Sequence, residues 1–106
     1  MRKERLVYSL IISFVIFVSC ATVGKDFPGR DMVKNIQTGK TTKLEILDMF
    51  GAPYRRGIED GDETWTYVYW KVNLIGSKYS KDLYIHFDKN SIVRSYSYNN
   101  NFPGAE

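Results

Sequence analysis

Two stretches decide the fold: Thr42-Lys43-Leu44-Glu45-Ile46-Leu47-Asp48-Met49-Phe50-Gly51-Ala52-Pro53, and Thr64-Trp65-Thr66-Tyr67-Val68-Tyr69-Trp70-Lys71-Val72. The first carries helical punctuation at both ends. Thr42 and Glu45 stand in capping-box relation, with the Thr42 hydroxyl accepting from the Glu45 N–H while the Glu45 carboxylate reaches back. Leu44, Leu47 and Phe50 bracket one face, with Ile46 beside it. Gly51 supplies a left-handed terminator, and Pro53 forbids continuation. In the second stretch the period drops to two and the residues turn β-branched and aromatic, which reads as a strand. Its faces carry Trp65/Tyr67/Tyr69 and Thr66/Val68/Trp70/Val72. Both are partly apolar, so the pattern leaves open which one is buried.

Working outward, Asp31 is a plausible N-cap for a short helix from Met32 to Thr38, with Val33 and Ile36 three apart and Gly39 as the stop. Ala52 to Gly61 reads as a loop. Asn73 to Ser80, with Gly76 and Ser77, reads as another. Leu83, Ile85 and Phe87 then alternate with Asp82, Tyr84, His86 and Asp88, a half-buried strand. Asp88-Lys89-Asn90-Ser91 turns the chain, and Ile92 to Tyr98 returns as a third strand. The expected architecture is α+β: two short N-terminal helices packed on one face of a three-stranded antiparallel β-meander. The other face is left to water or to a partner.

The N-terminus has a different character. A basic head (Arg2, Lys3, Arg5) precedes an apolar run from Leu6 to Val18, and Ser19 and Cys20 follow. That is the pattern of a secretory signal. A spanning helix needs about 20 apolar residues, and this run is shorter and interrupted by Ser9 and Ser13. Phe17-Val18-Ser19-Cys20-Ala21 resembles the lipobox of bacterial lipoproteins, with Phe17 where leucine is usual. Its thiolate is the nucleophile that takes the lipid, and Cys20 is the only cysteine. The expected organisation is a signal peptide over residues 1–19, a lipid-anchored tether over 20–30, the domain over 31–98 and a frayed tail over 99–106. About ten extended tether residues would reach roughly 30 Å. Three of the 15 basic residues and one of the 12 acidic ones lie in the leader, so the remainder is close to neutral. A basic nucleic-acid-binding surface is therefore excluded.

Gly39-Lys40-Thr41-Thr42-Lys43-Leu44-Glu45-Ile46, Phe50-Gly51-Ala52-Pro53, Gly61-Asp62-Glu63-Thr64-Trp65-Thr66-Tyr67 and Leu83-Tyr84-Ile85-His86-Phe87-Asp88, in that order, resemble the SmpA/OmlA (BamE-like) domain of bacterial lipoproteins. The resemblance covers roughly Val33 to Tyr98. It implies a helix–helix–three-strand fold, an outer-membrane lipid anchor facing the periplasm, and a non-enzymatic role. It also implies partners: subunits of the machinery that inserts β-barrel proteins into the outer membrane, together with anionic lipid. Ala21 stands after the cysteine in place of the aspartate that retains such proteins at the inner membrane, which implies outer-membrane sorting. Ser91 stands where the family has glycine, which implies a strained left-handed serine. Leu74-Ile75 has no counterpart in the family.

The residues themselves offer little catalytic chemistry. His86, the only histidine, falls on the outward side of its strand and reads as solvated. Glu59-Asp60-Gly61-Asp62-Glu63 is dense in oxygen ligands but lacks EF-hand spacing, so a hairpin-entry loop is the simpler reading and no metal is expected. No nucleophile elbow or phosphate loop is present, and no cofactor is expected. Binding rests on other residues. One helical layer cannot cover both faces of the first strand, so Trp65, Tyr67 and Tyr69 are candidate contact residues. Leu74 and Ile75, flanked by Lys71, Lys78 and Lys81, are candidates for contact with lipid headgroups or with a partner subunit. Two function classes follow: an accessory scaffold in outer-membrane β-barrel assembly or envelope integrity, and a stand-alone periplasmic protein-binding or inhibitor module, because the layout also resembles that of the protein inhibitors of β-lactamase.

Overall fold

The computed structural model describes residues 21–102. Strand β1 (Ala21–Val23) and a four-residue helix α1 (Arg30–Val33) come first, then helix α2 (Lys43–Phe50). Strands β2 (Arg55–Glu59), β3 (Asp62–Val72), β4 (Lys78–Phe87) and β5 (Val93–Asn100) complete the chain. All pairings are antiparallel, and β3 is the hub. One of its edges pairs with β4 along nine residues, Thr64↔His86 through Val72↔Lys78. Its other edge is shared end to end: β2 pairs with the first part (Arg55↔Thr66, Glu59↔Asp62), and β1 pairs with the last (Ala21↔Val72, Val23↔Trp70). β5 lies outside β4, with a register shift between His86 and Phe87.

The meander of three long strands is thus present, but the open sheet holds five strands, not three. β2 lies in the stretch expected to be a loop. Arg55-Arg56-Gly57-Ile58-Glu59 is exposed along its whole length, so it has no buried face to write an alternation into the sequence. β1 lies in the stretch expected to be a free tether. The first helix is also shorter than Met32–Thr38. Gly29 occupies its cap without a side-chain hydrogen bond, and Asp31 sits inside its first turn. Beyond Val33 single turns carry the chain, with the Ile36 N–H donating to the Val33 carbonyl at 3.0 Å. Val33 and Ile36 remain buried together.

The helices cover the Trp65/Tyr67 face. Trp65, Tyr67, Leu83, Ile85 and Phe87 meet Val33, Ile36, Ile46 and Phe50 there, with Phe27 and Val93 closing the ends. Trp65 packs edge-on against Phe87 at 5.1 Å between ring centroids. Burying side chains of this size stabilises by about 1.5–3 kcal/mol each. α2 is turned further than its sequence suggests. Ile46 and Phe50, four apart, face the sheet, while Leu44 and Leu47 are 77% and 37% exposed.

Its cap forms as expected. The Glu45 N–H donates to the Thr42 hydroxyl and the Thr42 N–H to the Glu45 carboxylate, both at 3.2 Å. Gly51 ends the helix at φ +79°. The Lys43 N–H donates to the Ser91 carbonyl at 2.8 Å, tying the start of α2 to the β4–β5 turn.

Candidate functional site

The two turns joining β2 to β3 and β4 to β5 lie at one end of the sheet, and the β3–β4 hairpin lies at the other. The hairpin is tighter than the expected Asn73–Ser80 loop, because β4 already starts at Lys78. Asn73 builds it. Its N–H donates to the Ser77 carbonyl at 3.1 Å, and its side-chain Oδ1 accepts from the N–H groups of Ile75 (3.1 Å) and Ser77 (2.9 Å). An Asn side chain that replaces backbone partners in this way is a frequent turn device. With the backbone satisfied from within, Leu74 and Ile75 are held outward, 70% and 86% exposed. Beside this tip runs β1, whose first residue, Ala21, is paired with Val72. Cys20 itself lies outside the described residues.

The other candidate contact residues divide. Trp65 and Tyr67 are in the core, 3% and 2% exposed, so a contact surface built on them is corrected by the fold: theirs is the face that the helices cover. Tyr69 continues the same face beyond the helices and is half-buried, stacked on Phe102 at 6.0 Å. Tyr79 also stacks on Phe102, at 5.6 Å.

Between these rings and Phe27 lies Lys81, almost fully buried, its Nζ 2.8 Å from Asp26 Oδ1 and 2.5 Å from the Phe27 carbonyl. The ring faces of Phe27 and Phe102 lie 4.9 and 5.7 Å from the ammonium. Lys81 thereby clasps the segment after β1 and the segment after β5 to the middle of the sheet. Sequence reasoning placed it only as a flanking surface charge. The period-two pattern of Leu83, Ile85 and Phe87, run back one step, puts Lys81 on the apolar face.

The uncovered face carries a second polar cluster. His86 does point to this side, but it is buried rather than solvated. Its Nε2 is 3.0 Å from Asp62 Oδ2 and its Nδ1 is 3.2 Å from Glu59 Oε2. Arg94 Nη1 donates to the same Asp62 oxygen at 3.2 Å, and the Tyr84 hydroxyl donates to Glu59 at 2.8 Å. The hydrogen bond from His86, with the positive charges of His86 and Arg94, holds the Asp62 carboxyl below the usual carboxylate range, against the opposing effect of burial. The Glu59 hydrogen bond pushes the Tyr84 hydroxyl up.

A histidine acting as general base needs one ring nitrogen free for the proton it takes. Here both nitrogens face carboxylates, so the ring bridges edge strand β2 to β3 and β4. Glu59, which closes the cluster, comes from the stretch that gave no strand pattern, which is why the sequence did not reveal it. Among the described residues, no group of His, Cys, Asp and Glu could hold a metal ion, and no helix is long and apolar enough to cross a membrane.

Residues 26–97 match the family model described as Outer membrane protein assembly factor BamE domain. The match takes in both helices, strands β2 to β4 and most of β5. No curated protein matches the chain.

Proposed function

The chain belongs to the BamE domain family, and on that footing we propose that it is a non-catalytic scaffold of the outer-membrane assembly machinery. In this reading it is held on the periplasmic side of the outer membrane by lipid on Cys20. The observation that carries the proposal is the family match over residues 26–97, which spans both layers of the fold. Two features support it. His86 has both ring nitrogens engaged by carboxylates, as a structural bridge would. The stretch Phe17-Val18-Ser19-Cys20-Ala21 resembles a lipobox, and its cysteine stands one residue before β1.

The test has two arms. Fractionation of the envelope should place the protein with the outer membrane, and Cys20→Ala should yield an unprocessed or soluble product. A Cys20→Ala protein that has lost its leader yet stays with membranes through a high-salt wash would refute the lipid anchor. Purification from detergent-solubilised envelope should recover subunits that assemble β-barrel proteins. Recovery of a single soluble enzyme instead would overturn the scaffold reading in favour of an inhibitor module.

A further inference from the structure

We infer that the β3–β4 hairpin tip is a second membrane contact beside the lipid anchor, so that the domain stands upright on an anionic bilayer surface with Leu74 and Ile75 in the headgroup layer. The inference rests on the Cys20 reading above and adds an orientation to it. Its starting point is the pairing of Ala21 with Val72. Whatever holds residue 20 at a bilayer also holds the end of β3 there, because the very next residue is in the ladder. The tip that Asn73 props open follows two residues after Val72 and exposes its only large side chains, both aliphatic.

The surroundings of the tip match a bilayer surface in layers. Every charged residue between Tyr69 and Lys81 is a lysine. Lys81 is turned inward to Asp26, but Lys78 is exposed and Lys71, half-buried, lies over the Phe102 ring at 5.7 Å. Amines at this depth meet phosphate groups, while the two aliphatic side chains pass beyond them. Trp70 on the uncovered face and Tyr79 on the helix face are both half-buried at the next level. Trp and Tyr rings with one apolar side and one wet side collect at that boundary.

The opposite end of the sheet is richer in carboxylates. Glu59, Asp60, Asp62, Glu63 and Asp88 gather at the two turns there, with Lys89 among them and with Asp62 and Glu63 paired to Arg94 and Lys43. Eleven residues of β3 separate the ends by about 35 Å, so the acidic turns face away from an anionic surface. A partner protein could also seat an apolar tip. The lysine-only flank and the adjacent anchor point favour lipid.

The test uses the full lipidated protein with a nitroxide label at Ile75→Cys or, separately, at Asp60→Cys. The label would then occupy the only free thiol, Cys20 being acylated. Each is reconstituted in vesicles of phosphatidylethanolamine with phosphatidylglycerol, and collision with oxygen is compared with collision with a water-soluble nickel complex. The expected result is an oxygen-accessible, nickel-shielded label at position 75 and a fully nickel-accessible label at position 60. Vesicles of phosphatidylcholine alone should reduce the shielding at position 75. Floating vesicles that carry the protein with both labels in water would overturn the second contact and leave the lipid anchor standing. A label at position 75 shielded from oxygen and nickel alike would show that it sits in protein, and would also overturn the inference. Failure of the protein to float with vesicles would instead overturn the anchor, and this inference with it.

Discussion

The hydroxyl of Tyr67 donates a 2.7 Å hydrogen bond to the carbonyl of Gly51, linking the centre of β3 to the residue that ends α2. Tyr67 is therefore both a core ring and a positioning contact for the helix C-terminus. Removing the hydroxyl strands a carbonyl in a poorly solvated place, so Tyr67→Phe should cost about 1 kcal/mol in denaturant unfolding at neutral pH. Burial pushes the Tyr67 hydroxyl up to about 12. The unfolded chain ionises near 10, so this stabilisation is full below pH 10 and is lost as pH rises towards 12. The alkaline limb attributable to it should approach roughly 2–3 kcal/mol and be missing from the Phe variant. An identical alkaline limb in both proteins would show that the hydroxyl ionises freely.

Asp62 sets the opposite limb. Its carboxyl is held below the usual range by His86 and Arg94. Stability from this ion cluster is therefore present above the ordinary aspartate value, about 3.9, and is lost as pH falls through the lower folded value. Asp62→Asn should flatten the acid side of the stability profile. The loss should fall at neutral pH, where the charged carboxylate faces His86 and Arg94, and should shrink at acid pH, where the wild-type carboxyl is itself protonated. A thermal unfolding series from acid to neutral pH decides; a parallel, merely displaced curve would show that the cluster does not titrate with folding.

Ser91 lies at φ +63° in the β4–β5 turn. A side chain there is strained by about 1 kcal/mol relative to glycine, so Ser91→Gly should raise the unfolding midpoint. Asn90 beside it has no positive φ, so Asn90→Gly should lower the midpoint by making the unfolded chain more flexible. Equal effects at the two positions would contradict this assignment of the turn.

The two ends of α2 should respond unequally. Thr42→Ala removes one half of a reciprocal cap and should cost about 1 kcal/mol. At Gly51 a new Cβ would meet nothing within 4 Å, so any loss is due to backbone conformation alone. Gly51→Val, forcing a β-branched residue to φ +79°, should cost more than the Thr42 change. Chemical denaturation of both variants measures the difference; equal tolerance would show that the helix does not depend on its terminator.

Legibility in the sequence followed burial. β3, β4 and α2 each have one side against the core, and their periods of two and their capping residues announced them. Leu44 and Leu47 misled because two of the three bracketing leucine and phenylalanine positions on α2 face water, while Ile46, set beside them, is fully buried. β2 has no buried face, and β1 is three residues long, so neither could write a pattern. Which face of β3 is inside depends on where the helices land, a tertiary choice that Trp65 and Val68 cannot make locally. The Leu74–Ile75 tip was legible as an apolar interruption among lysines. The His86 cluster was not, because Glu59, which closes it, comes from the strand that no local signal marked.

If the domain is held by lipid on Cys20 as proposed above, the pairing of β1 has a consequence for encounter rates. A domain on a free leash of about ten residues would roam a hemisphere roughly 30 Å in radius. With Ala21–Val23 in the sheet and the following segment clasped by Lys81, that leash is nearly used up. If the reach falls threefold, the volume searched falls about twenty-fivefold, and the effective concentration towards any membrane-resident partner rises in proportion. Such a gain needs no new contact with the partner; it comes from shortening the string.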